Sequence, residues 1–348
     1  MIITEAIKKV VDRQDLTALE AEQVLEQIMT GQCTDAQIAS LLTALRMKGE
    51  TIDEMAGFAR VMRRKAAPVR PRSAVSAGIG GTEREALIDT CGTGGDVSGS
   101  FNISTATAFV VAGCGIRVAK HGNRSVSSQC GSADVVEALG VKIELSPERI
   151  AECIDEVGIG FLHAPLLHEA MKYVSIARKQ MGIRTIFNLL GPLTNPAGAN
   201  TQVIGVYKAS LTETLARVLG ELGSTRALVV HGGDGLDEIT ITRESKITEL
   251  KNGEAHTYTV APEDFNLPRA TLKEIQGGDG LQNSRIILEV LEGKPGPRRD
   301  IVLLNAAAGL VASSQANDFK AGIRSAAESI DSGRAMGKLQ RLIEFTNA

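Results

Sequence analysis

The stretch ALIDTCGTGGDVSGSFNISTATAFVVAGCGIRVAK, residues 86–120, decides the fold. It opens on a short apolar run that suits a buried strand, ALIDT, and passes through a loop that holds Gly92, Gly94, Gly95 and Gly99. The helical stretch STATAFVVAGCG follows, and a second strand-like run, IRVAK, closes the unit. Strand, helix and strand in that order form the repeating unit of an α/β domain with a largely parallel sheet. The alternation continues through SADVVEAL, QVIGVY, a helix from about Leu211 to Leu222 and the strand RALVVH. In KITELKNGEAHTYTV the Asn252-Gly253 pair, set between alternating residues, signals a hairpin, so part of the sheet is antiparallel.

Upstream of this unit, residues 1 to about 67 read as helices only. Thr17 with Glu20, Thr34 with Gln37 and Thr51 with Glu54 each put a hydroxyl at an N-cap and a carboxylate or amide three residues later, the pattern of a capping box. Gly31 and Gly49 stand where helices end, and Ile38, Leu41, Leu42 and Leu45 recur at helical spacing, which gives the helix one face to bury. Pro68 and Pro71, in APVRPR, mark a hinge. The chain therefore divides into a small all-helical domain at 1–67, a linker at 68–85 and a larger α/β domain at 86–348 with a central, mostly parallel sheet. Leu166 to Met181, LLHEAMKYVSIARKQM, reads as a helical insert that packs on the N-terminal helices.

The composition narrows the partners. The chain has 348 residues, 43% of them hydrophobic, a net charge of −3, 3% aromatic residues and no tryptophan. A nucleic-acid binder needs a basic surface and stacking rings, and neither is present in quantity, so a small-molecule partner is expected. The five cysteines, Cys33, Cys91, Cys114, Cys130 and Cys153, never form a C-x-x-C pair, which argues for reduced thiols and against a zinc site. The N-terminus lacks the apolar core of a secretory signal, and no apolar run approaches the ~20 residues of a membrane span. The expectation is a cytoplasmic protein without membrane or nucleic-acid partners.

Ligands of open α/β folds bind beyond the carboxyl ends of the strands, where CGTGGDVSGS lies. Its glycines let the backbone turn and bring N–H groups close to an anion, and the helix beginning near Ser104 points its positive end at the same place. The spacing is neither that of a dinucleotide fold nor that of a P-loop, and by themselves these residues fit a plain turn with a hydroxyl cap as well as they fit a phosphate site. A second loop, KHGNRSVSSQCGSAD, repeats the logic with cations added: Lys120, His121 and Arg124 lie among Asn123, Ser125, Ser127, Ser128 and Ser132. A third, VVHGGDGLDEIT, presents Asp237 and Glu238, a carboxylate pair that could hold the magnesium that accompanies a diphosphate.

With these elements in order, the chain resembles the anthranilate phosphoribosyltransferases. The matching segments are DTCGTGGD, FNISTATAF, KHGNRSVSS with GSADVVEALGV, ARKQMGIRTIFNLLGPLTNPAGA and HGGDGLDEI, and LLNAAAGL near the C-terminus also fits. The resemblance implies a helical domain joined to an α/β domain, in the manner of nucleoside phosphorylases and class II phosphoribosyltransferases, a homodimer formed through the helices, and a cleft at the hinge. It implies transfer of the phosphoribosyl group of 5-phosphoribosyl 1-diphosphate to anthranilate, giving N-(5-phosphoribosyl)anthranilate and pyrophosphate in tryptophan biosynthesis. Carried over by position, the phosphoribosyl diphosphate residues would be Gly92, Gly95, Asp96, Ser100, Asn102, Ile103, Ser104, Thr105, Lys120, His121, Gly122, Asn123, Arg124, Ser125, Val126, Ser127, Ser128 and Ser132. Gly92, Asn123 and Arg178 would face the anthranilate. Ser104, Asp237 and Glu238 would hold two Mg²⁺ ions per subunit, with Lys120 and His121 as the candidate catalytic side chains.

One segment departs from the family pattern APxHHPAM: this chain reads HAPLLHEAM, with Leu167 and Glu169 in place of histidine and proline and His168 retained. A neutral aromatic amine already carries the lone pair for attack, so the expected catalysis is positioning and electrostatic neutralisation of the leaving pyrophosphate. Two readings compete: a pyrimidine nucleoside phosphorylase, which is not expected to show GTGGD and NIST together with FNLLGPLTNP, and a non-catalytic nucleic-acid-binding relative, which needs a basic cleft and against which the net charge of −3 and the intact diphosphate and metal motifs argue.

Overall fold

In the computed structural model, residues 1–72, 86–95, 99–124 and 129–348 are described. The chain begins with helices α1 (Ile3–Val11), α2 (Ala18–Met29), α3 (Asp35–Lys48) and α4 (Ile52–Lys65). Thr17, Thr34 and Thr51 accept the backbone N–H of Glu20, Gln37 and Glu54, and each partner reaches back to the cap residue. Gly31 and Gly49 have φ of +74° and +94°, a left-handed turn that ends a helix without cost only at glycine.

The sheet consists of β1 (Leu87–Gly92), β2 (Arg117–Gly122), β3 (Ile159–His163), β4 (Thr201–Gly205), β5 (Arg226–Gly232), β6 (Ser245–Lys251) and β7 (Glu254–Val260). Its order is β3-β2-β1-β4-β5-β6-β7. The first five are parallel neighbours, while β6 and β7 run antiparallel. The mostly parallel α/β sheet expected from the sequence is present, with the hairpin at Asn252 and Gly253, both at positive φ. After β1 come helices α5 (Ile103–Gly113), α6 (Ser132–Ala138), α7 (Pro147–Glu156), α8 (Lys172–Met181), α9 (Leu211–Glu221), α10 (Gly280–Leu291), α11 (Pro297–Ala312), α12 (Phe319–Asp331) and α13 (Arg334–Asn347).

Three local readings are corrected. The strands β1 and β2 run on to Gly92 and Gly122, so the first glycine of each loop still belongs to the ladder. Strand β3 went unread because IGFLH is buried on both sides and shows no alternation. The helical insert at 166–181 is broken: one turn covers Ala164–Leu167, His168 leaves the helix with φ −123° and ψ 57°, and α8 starts only at Lys172.

Alternate strand residues face two different cores, as the period of a pleated strand requires. Val203 and Leu228 join α5, α11 and α12 on one face, whereas Ile204 and Val229 join α1–α4, α8 and α9 on the other. The helical bundle and the sheet thus share one continuous apolar core. Polar ties reinforce it: Arg63 of α4 donates to the carbonyls of Leu193 and Leu222 at 2.8 and 3.0 Å, and the segment after α4 pairs Ala67 N–H with Leu167 O and Val69 N–H with Pro196 O. Among the described residues no helix is long and apolar enough to cross a membrane.

Glu54 anchors the bundle from within. Fully buried, it accepts from Leu16 N–H at 3.0 Å and Thr51 N–H at 2.8 Å and pairs with Lys48 at 3.1 Å. Glu54→Ala would leave the buried Leu16 N–H without its acceptor, remove the α4 capping bond and leave Lys48 to the exposed Asp15 at 2.7 Å, so it is expected to cost about 3 kcal/mol in a urea unfolding titration.

Candidate active site

The strand order reverses between β1 and β4, and ligands of open α/β sheets bind in the crevice at such a switch point. Gly92 and Gly205 are register partners at the carboxyl ends of these two strands. Asp237 lies on both. A Cβ at Gly92 would come within 2.3 Å of its carboxylate, and one at Gly205 within 1.5 Å of its carbonyl oxygen. Asp237 Oδ2 also accepts the N–H of Gly94 at 2.8 Å. The glycine loop and the acidic loop after β5 therefore form one corner.

That corner is held from behind. Asn305, on α11 within LLNAAAGL, donates to Ile239 O at 2.8 Å and accepts Ile239 N–H at 3.0 Å, which fixes the backbone directly after Glu238. Asp234 accepts from the hydroxyls of Thr240 and Thr242 and from Leu236 N–H, and so shapes the preceding turn.

Helix α5 points its N-terminus at the crevice without a side-chain cap, since Asn102 turns its amide elsewhere. Free N–H groups at such an end attract anions. Ile103 and Thr105 are 1% exposed, so their side chains belong to the core, and their N–H groups already donate to Phe101 O at 2.7 Å and to Asn102 O at 3.2 Å. Ser104 and Ser100 are half-buried at the surface of the crevice. Asp96, Ser125, Val126, Ser127 and Ser128, expected here from the resemblance, lie outside the described residues.

The loop after β2 starts from a buried polar knot. Lys120 is 3% exposed, and its ammonium donates to Thr90 O at 2.5 Å and approaches Ser104 Oγ at 3.5 Å, beneath the α5 N-terminus. Asp89, wholly buried, accepts from His121 N–H at 3.2 Å and from Asn195 at 2.8 Å, while Asn195 also donates to Ala119 O. Burial raises the Asp89 carboxyl above the usual range, and Lys120 pulls against that shift. At the rim, Ser132 Oγ accepts Asn123 N–H at 3.2 Å, and a Cβ on Gly122 would meet that same oxygen at 2.3 Å. Arg124 is exposed and turned toward Asp134 and Glu137, at 2.9 and 2.6 Å. Exposed pairs of this kind hold a cation weakly, so it can be recruited by a stronger anion.

The third wall comes from the segment around α8. Arg178 is half-buried over the Phe187 ring, 5.4 Å from its centroid, and burial lowers its pKa. Its neighbour Lys179 is exposed, a difference that periodicity in the sequence did not reveal. His168 and His121 pack ring to ring at 5.2 Å. Burial depresses His121 to about 3, with His168 and Lys120 adding to the shift, and burial depresses His168 to about 4. Both are neutral imidazoles at pH 7, and each has an Nε2 with no hydrogen-bond partner among the described residues. Leu167 is buried against Val69 and Leu87, which explains an apolar residue at that position, while Glu169 is exposed.

Arg184 went unassigned in the sequence. Its guanidinium lies over the Tyr207 ring at 4.5 Å and donates to Gly95 O, so it clasps the glycine loop. Asp89, Asn195 and Asn305 were missed for the same reason: a single polar residue inside an apolar stretch is a signal only when its partners are known.

Residues 84–336 match the glycosyl transferase family α/β domain and residues 4–66 match the helical bundle domain of the same family. This combination of a helical bundle and an α/β domain is the architecture of that transferase class. An anthranilate phosphoribosyltransferase of Geobacter sulfurreducens is 55% identical over 99% of this chain and 100% of its own. The crystal structure of the Thermus thermophilus anthranilate phosphoribosyltransferase superposes with a TM-score of 0.91 at 42% identity, covering 99% of each chain. The Saccharomyces cerevisiae enzyme in complex with PRPP and Mg gives a TM-score of 0.88 at 28% identity, over 99% of this chain and 98% of that one. The chain belongs to the anthranilate phosphoribosyltransferase family.

Two outcomes test this geometry. Gly205→Ala forces its new methyl into the Asp237 backbone, so it should destabilise the fold by about 2 kcal/mol, read as a shifted urea midpoint. The depressed histidines make a pH statement. The unfolded chain, with histidine pKa near 6.5, binds more protons than the folded one between that value and about 3 to 4. Stability is therefore full above pH ~6.5 and falls as the solution is acidified through this window, and a His121→Asn, His168→Asn double variant should show a flatter dependence in thermal melts at each pH.

Proposed function

We propose that this chain transfers the phosphoribosyl group of 5-phosphoribosyl 1-diphosphate to the amine of anthranilate, releasing pyrophosphate, in tryptophan biosynthesis. The observation that carries the reading is the meeting, at the sheet's switch point, of a glycine loop, an uncapped helix N-terminus and the Asp237 carboxylate. Donors of this kind suit a diphosphate, and full-length kinship with the named enzymes selects the acceptor.

In this reading Gly92, Gly95 and Asp96 cradle the diphosphate and ribose, with Ser100, Asn102 and Ser104 offering hydroxyl, amide or backbone N–H groups and Ile103 and Thr105 forming the helix end beside them. Lys120 supplies positive charge from beneath, and we assign His121, Gly122, Asn123, Arg124, Ser125, Val126, Ser127, Ser128 and Ser132 to binding the phosphoribosyl diphosphate. Gly92, Asn123 and Arg178 face the anthranilate. Desolvation strengthens the pull of Arg178 on a carboxylate, because water no longer screens it.

The bond between ribose C1 and the diphosphate oxygen breaks with its electron pair leaving on oxygen, and the amine nitrogen bonds to C1 and then sheds one proton. His121, neutral and with Nε2 without a hydrogen-bond partner among the described residues, accepts that proton; its low basicity means that it passes the proton on rather than keeping it. Asp237, Glu238 and Ser104 offer the hard oxygen donors that magnesium takes, and the glycine at 92 leaves room beside the Asp237 carboxylate. We assign two ions, one to Ser104 with Glu238 and one to Asp237 with Glu238. When bound, the metal would neutralise charge on the departing pyrophosphate.

The same reading takes the chain as two units, 1–67 and 86–348, joined by 68–85, and as a cytoplasmic homodimer formed through the helices. Val11, Leu19, Met47 and Ile176 are 63%, 65%, 72% and 56% exposed on α1, α2, α3 and α8, an apolar surface that a second copy would cover. Charged substrates that do not cross membranes fit the cytoplasm.

The test is the decay of anthranilate fluorescence on mixing with 5-phosphoribosyl 1-diphosphate. Loss of signal that depends on Mg²⁺ is expected. Asp237→Asn should lower turnover at least ~10-fold and shift the magnesium dependence to higher concentration, and Arg178→Ala should raise the anthranilate KM by a similar factor. Wild-type chain that leaves anthranilate untouched would refute the reading.

A further inference from the structure

The Asn102 amide does not cap its own helix, and its bonds show what holds it instead. Asn283, near the start of α10 and 1% exposed, takes the backbone N–H of Gly278 on Oδ1 at 2.7 Å. Its Nδ2 then donates to Asn102 Oδ1 at 2.9 Å. Asn102 Nδ2 in turn donates to Cys130 O at 3.3 Å. A backbone N–H can only donate and a backbone carbonyl can only accept, so the two ends of this chain of bonds fix the direction of both amides between them. The Cys130 thiol, pushed up to about 11 by burial, stays protonated, and its one S–H lies 3.4 Å from both Asn102 Oδ1 and Gly131 O.

An amide nitrogen carries two N–H groups, and this chain uses only one of the two on Asn102. The segment that carries Asn283 is itself laced to the glycine loop: Phe101 N–H donates to Ile275 O, Gly277 N–H to Gly99 O, and Ser100 bridges Gln276. A Cβ on Gly277 would come within 2.6 Å of Phe101 Cα, which shows how closely the two backbones approach.

We propose that Asn283 is a positioning residue for the phosphoribosyl diphosphate site: it locks the Asn102 amide with its oxygen inward, so that the remaining N–H of Asn102 is presented to a phosphate oxygen. The inference rests on the reading of the Asn102 corner given under the proposed function. A flipped Asn102 would aim its oxygen at the phosphate and exchange an attraction for a repulsion, with no change in the fold. Asn283 touches no substrate. Its effect passes through Asn102 alone.

The experiment measures KM for 5-phosphoribosyl 1-diphosphate and kcat separately, together with the rise in melting temperature that this substrate and Mg²⁺ produce. Asn283→Asp keeps the shape but sets an acceptor against Asn102 Oδ1, and Asn283→Ala removes the hold without adding charge. Both should raise the KM by ~10- to 100-fold, the worth of one hydrogen bond to a charged group, and leave kcat within about threefold. The melting rise on adding substrate should shrink in parallel. In an Asn102→Ala background, which should itself raise the KM, neither substitution should change the KM further, because residues acting through one another are not additive. If the aspartate variant does not fold, the alanine variant decides. Unchanged KM in the folded variants, or equal losses with and without Asn102, overturns the proposal while the wild-type activity leaves the functional reading intact. Wild-type chain that binds the substrate without turning it over fails the functional reading, and the melting rise of the variants then decides this one. Wild-type chain that neither binds nor reacts sinks both.

Discussion

Two glycines facing each other across the ends of β1 and β4 are the constraint from which the rest of the site follows. Gly92 and Gly205 leave the space that the Asp237 carboxylate and backbone occupy, and a methyl group there would meet the carboxylate at 2.3 Å and the backbone carbonyl at 1.5 Å, so a larger residue forces the acidic loop to shift. This contact joins a loop that follows the first strand to one that follows the fifth. It also lies where the sheet reverses its order, at the carboxyl ends of the neighbouring strands β1 and β4, where the crevice opens.

A shared device keeps these loops in register. Each is pinned by a buried asparagine from a segment remote in sequence: Asn195 bonds Asp89 and Ala119 O behind the β2 loop, Asn305 clasps the backbone of Ile239 after the acidic pair, and Asn283 bonds Asn102 below the glycine loop. Asparagine suits the task because it is short, neutral and carries a donor and an acceptor, so it can satisfy two backbone groups without the cost of burying a charge. Asp89 is the exception, a buried carboxylate beside Lys120, and its two N–H donors and that nearby cation offset only part of what burial costs.

The helical bundle is bound into the same construction. It shares an apolar core with one face of the sheet, and α8, whose Val174 and Ala177 enter that core, carries Arg178 over Phe187. Burial of that helix is what strips water from the guanidinium. The charge is thereby left to seek a partner that the described residues do not supply in the form of a carboxylate ion pair.

Sequence by itself determined the local units. Capping threonines, left-handed glycines, the Asn252-Gly253 hairpin and the strand-helix-strand alternation are written in neighbouring residues, because hydrogen bonds across three or four positions and the freedom of one φ angle settle them. The family motifs, read together, also marked the glycine, basic and acidic loops. Tertiary structure alone decided which of their side chains face the crevice. Ile103 and Thr105 turn into the core, Lys120 lies beneath the helix end, Arg124 lies on an acidic surface, and Arg184 reaches Gly95. It also decided the partners of Asn195, Asn283 and Asn305. The physical reason is the same throughout: a buried polar group is defined by the donor or acceptor that folding brings to it, and these partners come from parts of the chain that only the packed sheet and helices bring together.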